Sequence, residues 1–336
     1  MSREVTSEVI LTDLREHPAI KAWHELGSSR VEPEAIVILK EHDKSAIYRL
    51  EGVGTAGSSI IGKRCKRTTA TVERAIYEEI LPYLPMPTLH YYGYIEEPEG
   101  EFCWLFLEDA YGDEFSPCIE EHRTLAARWL ATMHTSAADK VGTVRLPDRG
   151  PAYYLRQLRS ASDTIIQGLN NSKLNLDDLT TLRSVLSQFE LLESHWGEVN
   201  RLSHSIPRTL VHGDFVAKNM VVRSNKAGMA LLPFDWENAG YGVMITDLAQ
   251  SPPLSTRFSA NPDIATYWAV VRNYWPDVEI HALKRLANFG TLLRLIDAIN
   301  WIAQSLAYEW VQEPMSKIEV YESRLAEVIR AVGLGE

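Results

Sequence analysis

The stretch 210–237 sets the tightest limits on what this chain can fold into. An apolar run ending in Leu210-Val211 stops at His212-Gly213-Asp214, a tripeptide built for a sharp turn, and Asn219 follows five residues after the aspartate. A short strand, the turn 224–228 and a second apolar strand then deliver Asp235-Trp236-Glu237. Two carboxylates brought in by strands, with a carboxamide between them, call for a β element set into whatever surrounds it.

What surrounds it changes character along the chain. Residues 4–28 read as one or two short helices broken near Pro18. Strand patterns follow at 35–39, 46–50 and 59–65, then a helix over 70–83 with Val72, Ile76 and Ile80 on one face, ended by Pro85-Met86-Pro87. Two more strands are expected at 89–95 and 102–107. Residues 1–107 thus form a lobe of strands around one long helix. Residues 108–117, with Gly112 and Pro117, form a connector. The remainder, 118–336, is mainly helical, with helices expected over 121–134, 153–170, 176–200, 262–275 and 279–310. The His-Gly-Asp element is its one clear β interruption. The fold class is α+β, on a bilobal plan with a small strand-rich N-terminal lobe and a larger helical C-terminal one.

Composition narrows the class of partner. The 336 residues carry 34 basic and 45 acidic side chains, a net charge of −11, which argues against nucleic acid and anionic membrane and favours a neutral or cationic small molecule. Three cysteines (Cys65, Cys103, Cys118) form no paired framework, and the N-terminus lacks a signal-peptide pattern. No apolar run spans a bilayer, so the expected location is the cytoplasm.

The chemistry follows from the residue types. Asp214, on a strand-terminal turn, is placed to act as general base or to orient a hydroxyl for in-line attack. Asn219 and Asp235 supply hard oxygens, which suit Mg²⁺, and no imidazole or thiolate cluster suggests zinc. His212 is expected to shape the loop rather than transfer protons, and the other histidines form no metal-binding pattern. Upstream, Lys63 ends an apolar strand, and Glu73 opens the next helix ten residues later, so the pair fits a phosphate-gripping lysine oriented by a helix carboxylate. Alternation puts Lys63 and Cys65 on one face and Arg64 and Lys66 on the other, which favours Lys63; Glu78 and Glu79 read as solvent-facing rivals of Glu73. Gly52, Gly54 and Gly57 precede no Gly-Lys-Ser/Thr and no helix, so they read as a hairpin turn. The loop 42–45 is the expected cover over the phosphates, with Ser45 offering its hydroxyl or amide. Together these parts make a phosphoryl-transfer site.

At these residues the chain resembles the aminoglycoside phosphotransferase and choline kinase group of small-molecule kinases, which have a protein-kinase-like fold. His212-Gly213-Asp214-x4-Asn219, Asp235-Trp236-Glu237, the Lys63 and Glu73 pair, and Glu73-x3-Tyr77 running on to Pro85-Met86-Pro87 carry the likeness, over roughly residues 35–310. The resemblance implies ATP- or GTP-dependent, Mg²⁺-dependent phosphorylation of a small-molecule hydroxyl. Asp214 would be the base, Asn219 and Asp235 the metal ligands, and Lys63 the phosphate ligand oriented by Glu73. The backbone of Leu107, Glu108 and Ala110 would take the adenine edge, and Asp247 would brace the catalytic loop. Protein substrates are not expected, because no Ala-Pro-Glu segment follows Asp235. The basic residue that protein kinases place two positions after the aspartate is Val216 here, with Lys218 nearby. For the acceptor, Glu237, Tyr241, Arg294, Asp297, Trp301, Tyr308 and Trp310 are candidates, and the spacing of Arg294, Asp297, Trp301 and Tyr308 predicts one shared helix face. Such an acidic, aromatic wall would suit a polyhydroxylated amine, an aminoglycoside-like or other antibiotic, or a metabolite such as an amino alcohol or sugar. Two other classes compete: a catalytically silent ligand-binding protein on the same fold, and a two-metal phosphoesterase, for which the His and Asp ligands are missing.

Overall fold

Strand alternation organises the first hundred residues. In the computed structural model, which describes residues 8–27, 31–42, 45–138, 144–226, 228–251, 259–308 and 310–334, six strands form one antiparallel sheet. They are β1 (Glu8–Ile10), β2 (Ile36–His42), β3 (Ser45–Leu50), β4 (Ile60–Lys66), β5 (Tyr91–Glu96) and β6 (Phe102–Glu108), in the order β1-β2-β3-β4-β6-β5. On one face Tyr48, Leu50, Ile60, Trp104 and Phe106 pack against Ile20 and Trp23 of α1 (Pro18–Glu25). On the other face Cys65, Cys103 and Leu105 pack against Ala70 of α2 (Arg67–Ala75). Lys63 shares its parity with Cys65 and so belongs to the α2 side of the sheet.

Several expectations are corrected in this region. Residues 8–10 are an edge strand paired with Ile36–Ile38 rather than helix; the call on 4–7 lies outside the described residues. The expected break near Pro18 is there: a 3-10 turn over Leu14–Glu16 stops at His17 and α1 starts at Pro18, since the first helical position needs no N–H, and Nδ1 of His17 accepts the Ala19 amide. The long helix begins at Arg67 and is regular only to Ala75. It widens into a π turn over Ile76–Ile80 and a 3-10 turn over Leu81–Tyr83, because Pro82 has no amide to donate and crowds the carbonyl four residues back.

The chain divides into two compact units, Met1–Glu114 with Met220–Asn238, and Phe115–Asn219 with Ala239–Glu336. The hairpin of β10 (Met220–Asn225) and β11 (Gly228–Pro233) belongs to the first, where β10 also pairs with β7 (Asp113–Glu114).

In the second unit β12 (Gly240–Val243) runs parallel to β8 (Asp148–Arg149) and antiparallel to β9 (Arg208–Val211), the strand that leads into His-Gly-Asp. The β content of this half is therefore larger than the single interruption expected. Its helices are α3 (Glu120–Ala137), α4 (Pro151–Gly168), α5 (Leu176–Ser194), α6 (Trp196–His204), α7 (Ile264–Val271), α8 (Ile280–Ala303) and α9 (Gln312–Val332). The helix expected over 176–200 breaks at His195, and the one expected over 279–310 ends at Ala303, with a 3-10 turn and an extended Tyr308 after it. The C-terminal α9 was not foreseen. The middle of α8 is buried nearly all round, through Leu286, Phe289, Leu292, Leu293, Leu295, Ile296 and Ile299. Gly290 lets it pass close to the chain after β12: a Cβ there would collide with the Ile245 carbonyl oxygen. No helix among the described residues is long and apolar enough to cross a membrane.

Candidate active site

Each unit holds its own cluster of the residues singled out in the sequence. In the first, β4 delivers Lys63, whose Nζ donates to Glu73 Oε2 at 2.8 Å and to Asp235 Oδ1 at 2.6 Å, with Glu237 Oε2 at 3.8 Å. Glu73 is buried to 1% exposure on α2, so its charge needs this partner. Burial opposes the lysine charge, yet Glu73, Asp235 and Glu237 outweigh it and hold the Lys63 pKa well above the ordinary range. Asp235 itself sits in the left-handed region, at φ 66°, a conformation that costs a non-glycine residue energy and collects at functional positions. Glu237, an acceptor-side candidate by sequence, stands instead beside the lysine. Arg64, on the opposite face, is taken by Glu97, at 2.5 and 2.7 Å, and Lys66 lies 3.8 Å from Glu101.

At the end of β6 the Glu108 amide donates to the His90 carbonyl and the Asp109 amide to the Ser59 carbonyl. The Ala110 amide makes no backbone hydrogen bond among the described residues. The side chains pin this segment: Glu108 accepts from the His90 amide and pairs with Arg223, and Asp109 pairs with Arg49 at 2.6 Å. Leu107 is paired in the sheet with Ile61 and Tyr91. Ser45 opens β3 opposite His42 and is half-buried. The two residues between them, Asp43 and Lys44, which the sequence reading placed over the phosphates, lie outside the described residues.

In the second unit β9 ends at a turn that is tied down from beneath. Asp247 is buried; its Oδ2 accepts the His212 amide at 2.7 Å and its Oδ1 the Gly213 amide at 3.0 Å. His134 of α3 reaches Asp247 Oδ2 with Nε2, at 3.3 Å, and Tyr267 of α7 with Nδ1, at 2.8 Å. Burial raises the cost of the Asp247 charge, but His134 and His212 more than offset it and keep its carboxyl below the usual aspartate range. Gly213 adopts φ 76°, which the turn requires. His212 is buried, and its Nδ1 accepts the Asp214 amide at 3.3 Å.

Asp214 is held at both oxygens. Oδ1 accepts from the Arg294 guanidinium, which also donates to the Gly213 carbonyl. Oδ2 accepts from Asn219 Nδ2 at 2.9 Å, with Lys218 Nζ at 3.4 Å. Burial works against the charge, and Arg294, then Lys218 and His212, hold the Asp214 carboxyl below the ordinary range. Asn219 Nδ2 also donates to the Asp214 main-chain carbonyl at 3.0 Å, which anchors the carboxamide on the turn. Asn219 in this unit and Asp235 in the first each carry a hard oxygen donor, the kind that Mg²⁺ takes. Among the described residues no three His, Cys, Asp or Glu side chains are grouped to hold a metal by themselves.

Of the acceptor candidates, Arg294, Asp297 and Trp301 lie on α8. Asp297 lies against Arg294 and Arg149 and hydrogen-bonds the Tyr153 hydroxyl; burial, the largest influence, leaves its pKa raised. Tyr241 is covered by the Arg208 guanidinium at 4.4 Å. Trp301, at 73% exposure, points away from the buried middle of α8. Tyr308 lies beyond the helix and stacks on Trp310, ring centres 5.3 Å apart. The shared face of Arg294, Asp297, Trp301 and Tyr308 is thus broken by the end of α8. Sequence reasoning missed that Arg294 grips Asp214, and it missed His134 and Tyr267; residues 80 and 113 positions from their partners leave no local signal.

The model of the phosphotransferase enzyme family matches residues 66–278, more than half of the chain. No curated protein sequence matches. Among solved structures, an aminoglycoside 2′-phosphotransferase-IIIa variant in complex with GDP is similar at TM-score 0.62 and 12% identity, covering 93% of this chain and 98% of its own. Choline kinase from Cryptosporidium parvum Iowa II is similar at TM-score 0.59 and 11% identity, covering 93% and 94%. A microcompartment-associated aminopropanol kinase is similar at TM-score 0.59 and 12% identity, covering 92% and 95%. At these identities the likeness is one of fold, and the fold is kinase-like.

Proposed function

Since the chain belongs to the phosphotransferase enzyme family, we propose that it moves the γ-phosphoryl group of magnesium-bound ATP or GTP onto a hydroxyl of a small molecule. The observation that carries this reading is Lys63, drawn from a strand and fixed between the helix carboxylate Glu73 and the hairpin carboxylate Asp235. A phosphate-gripping lysine needs such a setting, and a structural ion pair does not need a second carboxylate on a strained turn.

In this reading Lys63 grips the phosphates, Glu73 orients it, and the Ala110 amide with the Glu108 carbonyl takes the purine edge. Asn219 and Asp235 would supply oxygen ligands to Mg²⁺, which when bound neutralises phosphate charge. The acceptor oxygen attacks the γ-phosphorus, the bond to the bridging oxygen breaks, the nucleoside diphosphate leaves, and the hydroxyl proton passes to the Asp214 carboxylate. With its pKa held low by Arg294, Asp214 is a weak base; it orients the hydroxyl first and takes the proton only as the new bond forms. Asp247 braces the loop. A metabolite alcohol fits better than a polycationic aminoglycoside, because Asp214 already pairs with Arg294 and Asp297 is faced by two arginines. The cytoplasm, where the buried thiols of Cys65 and Cys103 stay reduced, is the compartment this activity suits.

Phosphorus NMR of the protein with Mg-ATP or Mg-GTP and a panel of alcohols tests the reading. A phosphate monoester of one alcohol is expected; release of inorganic phosphate alone, whatever the alcohol, would contradict it.

A further inference from the structure

Charge compensation around Asp214 constrains what the acceptor carries. In this part of the second unit Asp214 pairs with Arg294 and lies 3.4 Å from Lys218, and Asp148 pairs with Arg208. Asp297 faces Arg294, Arg149 and the Tyr153 hydroxyl. Three carboxylates therefore stand against four cations; Asp214 and Asp148 are in ion pairs, and Asp297 is held by the Tyr153 hydroxyl with Arg294 and Arg149 facing it. An ammonium group entering here meets one more cation than carboxylate.

Arg149 is the exception among the cations. No described carboxylate forms an ion pair with it within 4.0 Å, and its Nε is hidden from solvent without a hydrogen-bond partner. Yet the side chain is held in place. It lies across two glycines of β12: a Cβ on Gly240 would come within 2.5 Å of Arg149 Cγ, and one on Gly242 within 2.9 Å of Arg149 Cβ. Its guanidinium rests 4.4 Å over the Tyr153 ring. Keeping one face of β12 bare of side chains under an arginine with no close ion pair costs packing, and a planar guanidinium held ready is suited to a carboxylate arriving from outside.

We propose that the acceptor is an anionic alcohol, a hydroxy acid or sugar acid, whose carboxylate is received by Arg149 while its hydroxyl addresses Asp214. This rests on the kinase reading and sharpens its substrate class, away from the amine acceptors named for the similar structures. Arg149 selects through attraction of the acid, and Arg294, Lys218 and Arg208 select by disfavouring polyamines.

The test uses acceptors matched in carbon skeleton: D-gluconate, D-glucose and D-glucosamine; D-glycerate, glycerol and 2-amino-1,3-propanediol; and kanamycin, each with Mg-ATP and Mg-GTP and product read by mass spectrometry. The acid of a set is expected to have the highest kcat/KM. Arg149→Gln should raise its KM about tenfold or more, the loss of a charge-assisted hydrogen bond, while the nucleotide KM holds. Arg149→Lys, which keeps the charge over the glycines, should retain the preference for the acid and guards against a folding effect. Preference for an amine or neutral member, or an acid preference untouched in Arg149→Gln, would overturn the proposal and leave the kinase reading standing. No phosphorylated product from any member would overturn the kinase reading, and the acceptor class with it.

Discussion

Asp214 can act on a hydroxyl only if its carboxylate stays ionised and still, and the residues around it serve both needs. Arg294 and Asn219 each hold one oxygen, and Asp247 holds the two amides that set the turn. Asp247 is the better residue on which to read the cost. Its folded pKa lies below its unfolded value of about 3.9, so its contribution to stability is complete above that value and is lost as pH falls through the lower, folded pKa. Chemical denaturation of the wild type and Asp247→Asn should therefore show a gap that is constant above about pH 5 and narrows below the unfolded pKa; a gap independent of pH down to acid unfolding would show that the carboxylate charge is not what matters. On the other cluster, Lys63→Met leaves Glu73 buried without a cation, and a loss of about 3–5 kcal/mol is expected from denaturant titration, as for other broken buried pairs. A loss below about 1 kcal/mol, the worth of a surface pair, would contradict the burial argument.

At the scale of elements, α8 decides where Arg294 falls. Gly290, one turn earlier, lets the helix approach the Ile245 carbonyl, and that approach sets the reach of the guanidinium to Asp214. Gly290→Ala should destabilise the protein by at least about 1–3 kcal/mol, against the small gain alanine brings to an ordinary helix interior, and should lower Tm and kcat together. A rise in Tm would show that the helix is not pressed on that carbonyl.

The elements also show what the sequence could and could not reveal. The sheet strands, Lys63 on the α2 face and the helices of the second unit follow from periods of two and 3.6, which are local. The π turn above Pro82, the break at His195 and the end of α8 at Ala303 depend on details of a few residues that periodicity averages over. The edge strand β1 exists through its pairing with β2, and α9 lies beyond the motifs that drew attention.

For the whole molecule, the sequence motifs named the chemistry better than the acceptor. Asp214, Asn219, Asp235 and Lys63 stand at turn, hairpin and strand positions whose spacing is visible in the chain, whereas Arg149, Arg294 and Asp297 gain meaning only when α4, α8 and β12 come together. Removal of Mg²⁺ with EDTA should abolish phosphoryl transfer, and excess Mg²⁺ should restore it; transfer that persists in EDTA would exclude Asn219 and Asp235 as functional ligands. The most direct test of the central claim is transfer of label from γ-³²P nucleotide to a small-molecule acceptor, in the wild type and in Asp214→Asn. The account predicts label on the acceptor with the wild type and a fall of about a hundredfold or more in the variant, about 2.7 kcal/mol of barrier, at an unchanged nucleotide KM. Equal transfer by both proteins would contradict it.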